Sequence, residues 1–282
     1  MKSGQSLKHS LLRASTVACF LALATPATQA APTLAVDLSN TTITSGVIDG
    51  VTFAFDNSQP TGSGVINSFL RIQKNKEEQG YNTNAAKVFD NVGGGFTHDV
   101  LFSSLQLING NYLFLLDINE NSGSGNLLSL DGLKFYATNT TSLSTTATDG
   151  NGDWDGSGAT LLWSMDTLAD NYVLLDYDRG TGGSGQGDML LTVPESKLAG
   201  GAGFTNFILW SRFGLQEGSD ANSDAGYEEW ARITVPTTSS STGSTGGGGG
   251  GGNIPEPGTL SLAGAAILGG FFYARRRRQA QA

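Results

Sequence analysis

Short apolar runs separated by two-residue turns are the feature that most narrows what this chain can fold into. Asp49-Gly50 separates Ile43–Ile48 from Val51–Phe55, Asn109-Gly110 separates Leu101–Ile108 from Tyr112–Ile118, and Asp131-Gly132 separates Leu127–Leu130 from Leu133–Ala137. Asp or Asn followed by Gly reaches the positive φ of a tight turn at low cost, so each pair predicts a β-hairpin. Val51, Phe53 and Phe55 alternate onto one face, as a half-buried strand requires. Further strands are expected at Ala159–Ser164, Tyr172–Tyr177, Met189–Val193, Phe204–Arg212 and Ala231–Val235. No stretch between them sustains a helical period, and only a short helix is expected, around Gly226–Trp230. Hairpins in series predict an all-β fold, an antiparallel β-sandwich of jelly-roll type.

The two ends of the chain are of a different kind. Lys2, Lys8 and Arg13 precede an apolar run from Val17 to Ala24, then Pro26 and small residues ending at Ala30. Residues 1–30 read as a signal peptide cleaved after Ala30, which makes signal peptidase and the general secretion machinery expected partners. The single cysteine, Cys19, leaves with it, so packing, with bound ions as the other resource, must hold the fold. From Ala31 to Gly258 there are 9 Lys and Arg against 25 Asp and Glu, a net charge of −16. Such a surface repels phosphates, so nucleic acid is not an expected partner. Acidity of this kind also keeps an exported domain soluble.

Residues 31–236 are long enough for one sizeable core. A Ser/Thr/Gly-rich stretch, residues 237–253, then forms a flexible linker whose random-coil span is about 20 to 25 Å. Residues 254–282 begin with Pro255, Glu256 and Pro257. They continue with an apolar or small segment, residues 259–274, and end in the cluster Arg275, Arg276, Arg277 and Arg278. The 16 residues from 259 to 274 rise about 24 Å as a helix, against a hydrocarbon core of about 30 Å. One short C-terminal transmembrane helix is expected, extended by Tyr273 and snorkelling arginines. The arginines act as a stop cluster that keeps the large domain outside the cytoplasm.

Proline on both sides of Glu256, followed by the helix and the arginines in that order, resembles the PEP-CTERM sorting signal. The resemblance implies that Pro255, Glu256 and Pro257 are the motif presented to an exosortase, an integral-membrane cysteine transpeptidase. It also implies that the segment after them is removed or exchanged. The chain would be held transiently in the inner membrane and then delivered to the cell surface or beyond. Residues 78–83, 115–120, 176–194 and 207–230 resemble a group of PEP-CTERM ectodomains, a likeness that names no activity. It implies export in bacteria that have an outer membrane and make exopolysaccharide.

Candidate chemistry in residues 31–236 centres on Asp149-Gly150-Asn151-Gly152-Asp153-Trp154-Asp155-Gly156. Asp149, Asn151, Asp153 and Asp155 place oxygen ligands at every second position, which makes them candidate calcium ligands. Read from Asn151 the stretch starts like an EF-hand loop, but Leu162 stands where the bidentate Glu belongs, so the alternatives are a looser calcium loop and a solvated acidic turn. Trp154, in that polar loop, is the candidate aromatic platform for a sugar ligand. Gly180–Gly187 contains a G-x-G-x-x-G, yet the run after it reads as a strand and ends in Pro194, which rejects a dinucleotide loop. His98 has no thiol or obvious partner to activate, and zinc lacks ligands. Glu77, Glu78, Glu217, Glu228 and Glu229 are the carboxylates a glycosidase would draw on. Transport is fully specified and catalysis is not. The expected function is therefore a noncatalytic, exosortase-sorted surface or extracellular-matrix protein associated with exopolysaccharide or biofilm, with calcium as its candidate ion. The alternative is a secreted carbohydrate-active enzyme on a jelly-roll scaffold.

Overall fold

The computed structural model describes residues 31–57, 67–180, 187–216, 220–224 and 226–234. The signal segment, the linker, the sorting motif, the apolar segment, the arginine cluster, Glu217 and residues 181–186 of the glycine-rich stretch lie outside the described residues. Among the described residues no helix is long and apolar enough to cross a membrane.

Thirteen strands carry the fold among the described residues. The first seven are β1 (Thr33–Asp37), β2 (Ser45–Ile48), β3 (Val51–Phe55), β4 (Ser68–Ile72), β5 (Glu78–Tyr81), β6 (Val100–Leu101) and β7 (Asn111–Asp117). They are followed by β8 (Leu127–Thr138), β9 (Thr160–Ser164), β10 (Asn171–Asp176), β11 (Met189–Pro194), β12 (Asn206–Phe213) and β13 (Glu228–Arg232). One sheet runs β1-β10-β8-β12-β5, with β9 beside β8 and β6 beside β12. The other runs β2-β3-β11-β7-β13-β4. All pairings are antiparallel except β1 with β10, which is parallel and departs from the all-antiparallel expectation.

The inner faces meet through aromatic rings. Phe114 of β7 stacks on Phe207 of β12 across the sheets at 5.4 Å between centroids, and Phe135 of β8 stacks on its cross-strand neighbour Trp163 of β9 at 5.1 Å. Contacts of this geometry add about 0.5 to 1.5 kcal/mol beyond the area they bury. Trp230 of β13 donates its indole N–H to Ser211 Oγ of β12 at 3.0 Å, a buried bond from one sheet to the other. The seven-stranded sheet also carries a smaller cluster, in which Tyr81, Tyr136, Ile208, Trp210 and Trp154 pack together. Trp154 comes from residues 139–159, the long connection between β8 and β9.

Two of the three expected turns are present. Asp49 and Gly50 take φ of 40° and 77° and place Ile48 opposite Val51, as a two-residue hairpin requires. Asn109 and Gly110 take 51° and 76° and reverse the chain between Ile108 and Asn111. The run before that turn is not one strand, however: β6 is two residues long and Phe102–Ser104 forms a 3-10 turn.

Asp131-Gly132 makes no turn at all, because it lies inside the 12-residue strand β8. Its residues answer to neighbours across the sheet instead of to local geometry. Asp131 accepts hydrogen bonds from Leu215 N–H and from the side chains of Ser129 and Gln216, while a Cβ at Gly132 would stand 2.7 Å from the Trp210 ring. The short helix expected around Gly226–Trp230 is likewise replaced, by β13, whose backbone pairs with both β4 and β7. Two flanking strands satisfy its N–H and C=O groups and override local preference. The helix among the described residues, Glu195–Leu198, is a single turn after Pro194.

Asp188, at the head of β11, is buried and accepts the Ile118 N–H at 2.8 Å. Burial pushes its carboxyl up to about 8, and Asp117, Asp56 and Asp176 add to the rise. A raised carboxyl is protonated in the fold and ionised in the unfolded chain, so its contribution is present at low pH and is lost as pH climbs from about 4 to about 8. Stability should therefore fall between pH 5 and pH 8.5, and Asp188→Asn should remove on the order of a few kcal/mol of that fall, measured by urea unfolding at each pH. Gly132→Ala should cost about 1 to 3 kcal/mol by the same method, because the added methyl displaces the buried Trp210 ring. A hairpin-turn glycine would not show this dependence on Trp210.

Candidate functional site

The acidic loop folds as a series of side-chain-to-backbone turns. Asp149 Oδ1 accepts the N–H groups of Asn151 and Asp153 at 2.8 and 3.2 Å, and Asp155 Oδ1 accepts the N–H and hydroxyl of Ser157 at 2.8 and 2.6 Å. Asp and Asn favour such turns because a short side chain can reach its own backbone two residues on. Those bonds hold the Asp155 carboxyl below its usual range. Asp153 is the anchor to the sheet: one oxygen takes Lys134 Nζ at 2.8 Å and the other takes Arg212 Nη1 at 2.7 Å. Arg212 also donates to Asn151 O and pairs with Glu77 at 2.5 Å.

These four residues are therefore not a converged ligand set. One oxygen each of Asp149 and Asp155 is taken by N–H groups or a hydroxyl, both oxygens of Asp153 are taken by side-chain cations, and a guanidinium facing Asp153 opposes a second cation there. No group of three or more His, Cys, Asp or Glu side chains among the described residues is gathered around a metal position. The expectation for Trp154 is corrected outright. It is 0% exposed, stacks on Tyr81 at 4.2 Å with the planes 17° apart, and donates its N–H to Thr145 Oγ1. The ring closes the outer face of the seven-stranded sheet and presents no surface to a sugar.

The other carboxylates divide sharply. Glu77 pairs with Arg212, and Glu229 pairs with Arg71 at 2.7 Å. Glu78 and Glu228 are different, both 0% exposed and placed by register on the inner faces of opposite sheets. Glu78 stands across from Phe213, a core residue, and Glu228 lies two positions from Trp230, another. Their carboxyls lie within hydrogen-bonding reach of one another, and Glu228 also reaches Glu120 in the segment after β7. Desolvation is the main cause that raises all three; neighbouring carboxyls add to the rise at Glu120, which reaches about 9, and at Glu228, while the bond from Glu228 tempers it at Glu78. Among the described residues no Lys, Arg or His forms an ion pair with any of them.

Glu120 escaped the sequence reading because it belongs to no motif. Glu228 had a signal, its spacing of two from Trp230, which the assignment of a helix there concealed. His98 donates its backbone N–H to Phe69 O and lines a shallow cleft of about 450 Å³ with Asn84, Lys87 and Asn91.

Asp153→Asn should cost about 2 to 3 kcal/mol in urea unfolding, since it leaves Lys134 and Arg212 short of a buried counter-charge. The loss should be equal with and without calcium, which separates a structural clamp from an ion ligand.

No curated protein and no solved structure matches the chain. Residues 253–278 match the family model described as the PEP-CTERM protein-sorting motif. They contain the Pro255-Glu256-Pro257 motif, the apolar segment and all four arginines. The chain thus carries a PEP-CTERM protein-sorting motif at residues 253–278, the mark of exosortase-dependent sorting to the cell surface.

Proposed function

We propose that residues 31–236 form a noncatalytic surface module, a sandwich of jelly-roll type, which exosortase processing delivers into the exopolysaccharide or biofilm matrix outside the cell. The reading is carried by the sorting motif at residues 253–278, which follows a Ser/Thr/Gly-rich stretch of a composition that suits a tether. A signal peptide at residues 1–30 starts export, and the helix at residues 259–274 holds the chain in the inner membrane until it is processed.

The alternative of a carbohydrate-active enzyme needs two carboxyls on either side of an accessible cleft. The carboxyls that do face each other, Glu78 and Glu228, are sealed inside the sandwich, where no glycosidic bond can reach them. A surface suited to polymer contact lies instead on the six-stranded sheet. There Arg71 sits 3.4 Å from the Phe96 ring centre and 4.8 Å from that of Tyr227, and both rings remain more than a third exposed. Exposed aromatic rings beside a cation and a carboxylate suit the apolar faces and hydroxyls of sugars.

Glu256→Ala in the producing bacterium tests the proposal. The unaltered protein should lose its C-terminal segment, leave the membrane fraction, and sediment with exopolysaccharide without releasing reducing sugar. The variant should keep its full mass and stay with the inner membrane. Identical mass and distribution of the two proteins would contradict the sorting step, and release of reducing sugar would contradict the noncatalytic role.

A further inference from the structure

The connection between β5 and β6 folds into a cleft whose frame is held at several points. Asn84 and Asp99 clasp each other: Asp99 accepts the Asn84 N–H at 3.0 Å and its side-chain amide at 3.1 Å, and Asn84 Oδ1 accepts the Asp99 N–H at 3.2 Å. Asn91 donates its side-chain amide to Tyr81 O at 2.8 Å, and Phe89 packs edge-on against the Tyr81 ring. Lys87 and Phe89 take φ of 59° and 46°, a left-handed backbone. Residues other than glycine hold it at a cost of about 1 to 3 kcal/mol each, and only where the surroundings over-determine it.

Unpartnered polar groups gather on this frame. The cleft encloses about 450 Å³, within the range of about 300 to 1,000 Å³ that small-molecule sites occupy. Among the described residues the Lys87 ammonium and the His98 imidazole make no hydrogen bond or ion pair, and Asn91 Oδ1 receives no donor. No Asp or Glu lines the cleft, although the net charge from Ala31 to Gly258 is −16. The carboxylates nearest in sequence are engaged elsewhere, Asp99 with Asn84 and the Ser142 N–H, Asp90 with Lys74 and the Gln79 N–H. One wall is Gly93-Gly94-Gly95. Gly94 and Gly95 take φ of 84° and 93°, which suits glycine, but Gly93 does not, and a Cβ there would meet nothing within 4 Å. Neither backbone nor packing calls for glycine at 93, and the missing side chain leaves the wall open to a flat ring.

We infer that this cleft binds a sugar bearing a carboxylate, a uronate unit of an acidic polysaccharide. Lys87 pairs with the carboxylate, His98 and Asn91 meet the hydroxyls, and the glycine wall lies against the ring. An ammonium gives a carboxylate a charge-assisted bond, and side chains that offer both donors and acceptors suit hydroxyls, which do the same. The acidic surface elsewhere repels an anionic polymer, which confines it to the place without carboxylates. Phe96, between Gly95 and Thr97 of the cleft, belongs to the exposed aromatic patch around Arg71, so a polymer leaving the cleft meets a ring face next. The inference rests on the polymer-binding role and names the sugar class it selects.

The test uses the full chain in detergent, titrated by calorimetry with a galacturonic acid tetramer and, separately, with the matching neutral galactose tetramer. The charged oligomer should bind, and the neutral one should bind about tenfold more weakly, a difference of about 1.4 kcal/mol. Lys87→Ala should remove that preference. Gly93→Leu should abolish binding while leaving Tm and the far-UV circular dichroism at parent values, because its side chain enters open space. Equal binding of the two oligomers, or binding of the charged one untouched by Lys87→Ala and Gly93→Leu, would overturn the inference and leave the polymer-binding role standing. Absence of heat with the galacturonic acid tetramer at about 10 mM, in a protein that still sediments with exopolysaccharide, would overturn it in the same way. Loss of that sedimentation as well would overturn both readings.

Discussion

Arg212 is the point on which the outer layer of the seven-stranded sheet depends. Its guanidinium holds Glu77, Asp153 and the carbonyl of Asn151, while Lys134 takes the other oxygen of Asp153. With that charge answered, residues 139–159 can lie down on the sheet and seat Trp154 against Tyr81 and Tyr136. Tyr81 returns the contact by donating its hydroxyl to Leu143 O and Thr145 O. A net charge of −16 between Ala31 and Gly258 would otherwise oppose packing any acidic loop against an acidic domain. Asp153 thus contributes through the cations it meets, and the aromatic cluster is what those cations make room for.

The same composition meets a different solution at the end of the sandwich. Strand alternation places Glu78 and Glu228 on the inner faces, beside Phe213 and Trp230, where water is excluded and no cationic side chain arrives. Packing alone cannot answer such groups. They are satisfied by protons, Glu228 bonding Glu78 and Glu120, at a cost in pH range. With Cys19 the single cysteine of the chain, no disulfide can form within it, and packing and ion pairs carry the fold.

Turn chemistry was legible wherever the turn is local. Asp49-Gly50 and Asn109-Gly110 need positive φ at both residues, and that requirement is written in two letters. Asp131-Gly132 uses the same letters for another purpose, an acceptor for Leu215 and clearance for Trp210, and neither neighbour is near in sequence. The alternating oxygens of Asp149 to Asp155 were legible as a pattern but not as a role, since an acidic turn and a calcium loop differ only in what lies opposite. The burial of Trp154 and the meeting of Glu78, Glu120 and Glu228 depend on sheet register, which no local spacing encodes. The sorting motif was the reverse case: it is a signal laid out along the sequence itself, so order and spacing alone identified it.

The central claim is that the acidic side chains fall into two kinds, those answered by the protein's own cations and those kept neutral by burial against one another. The most direct measurement is urea unfolding across about pH 5 to 9 for the parent protein and for Glu228→Gln. A loss of stability in the parent as pH rises, smaller in Glu228→Gln, is the expected result. A parent whose stability is flat across that range, or a variant that loses stability as steeply as the parent, would contradict it.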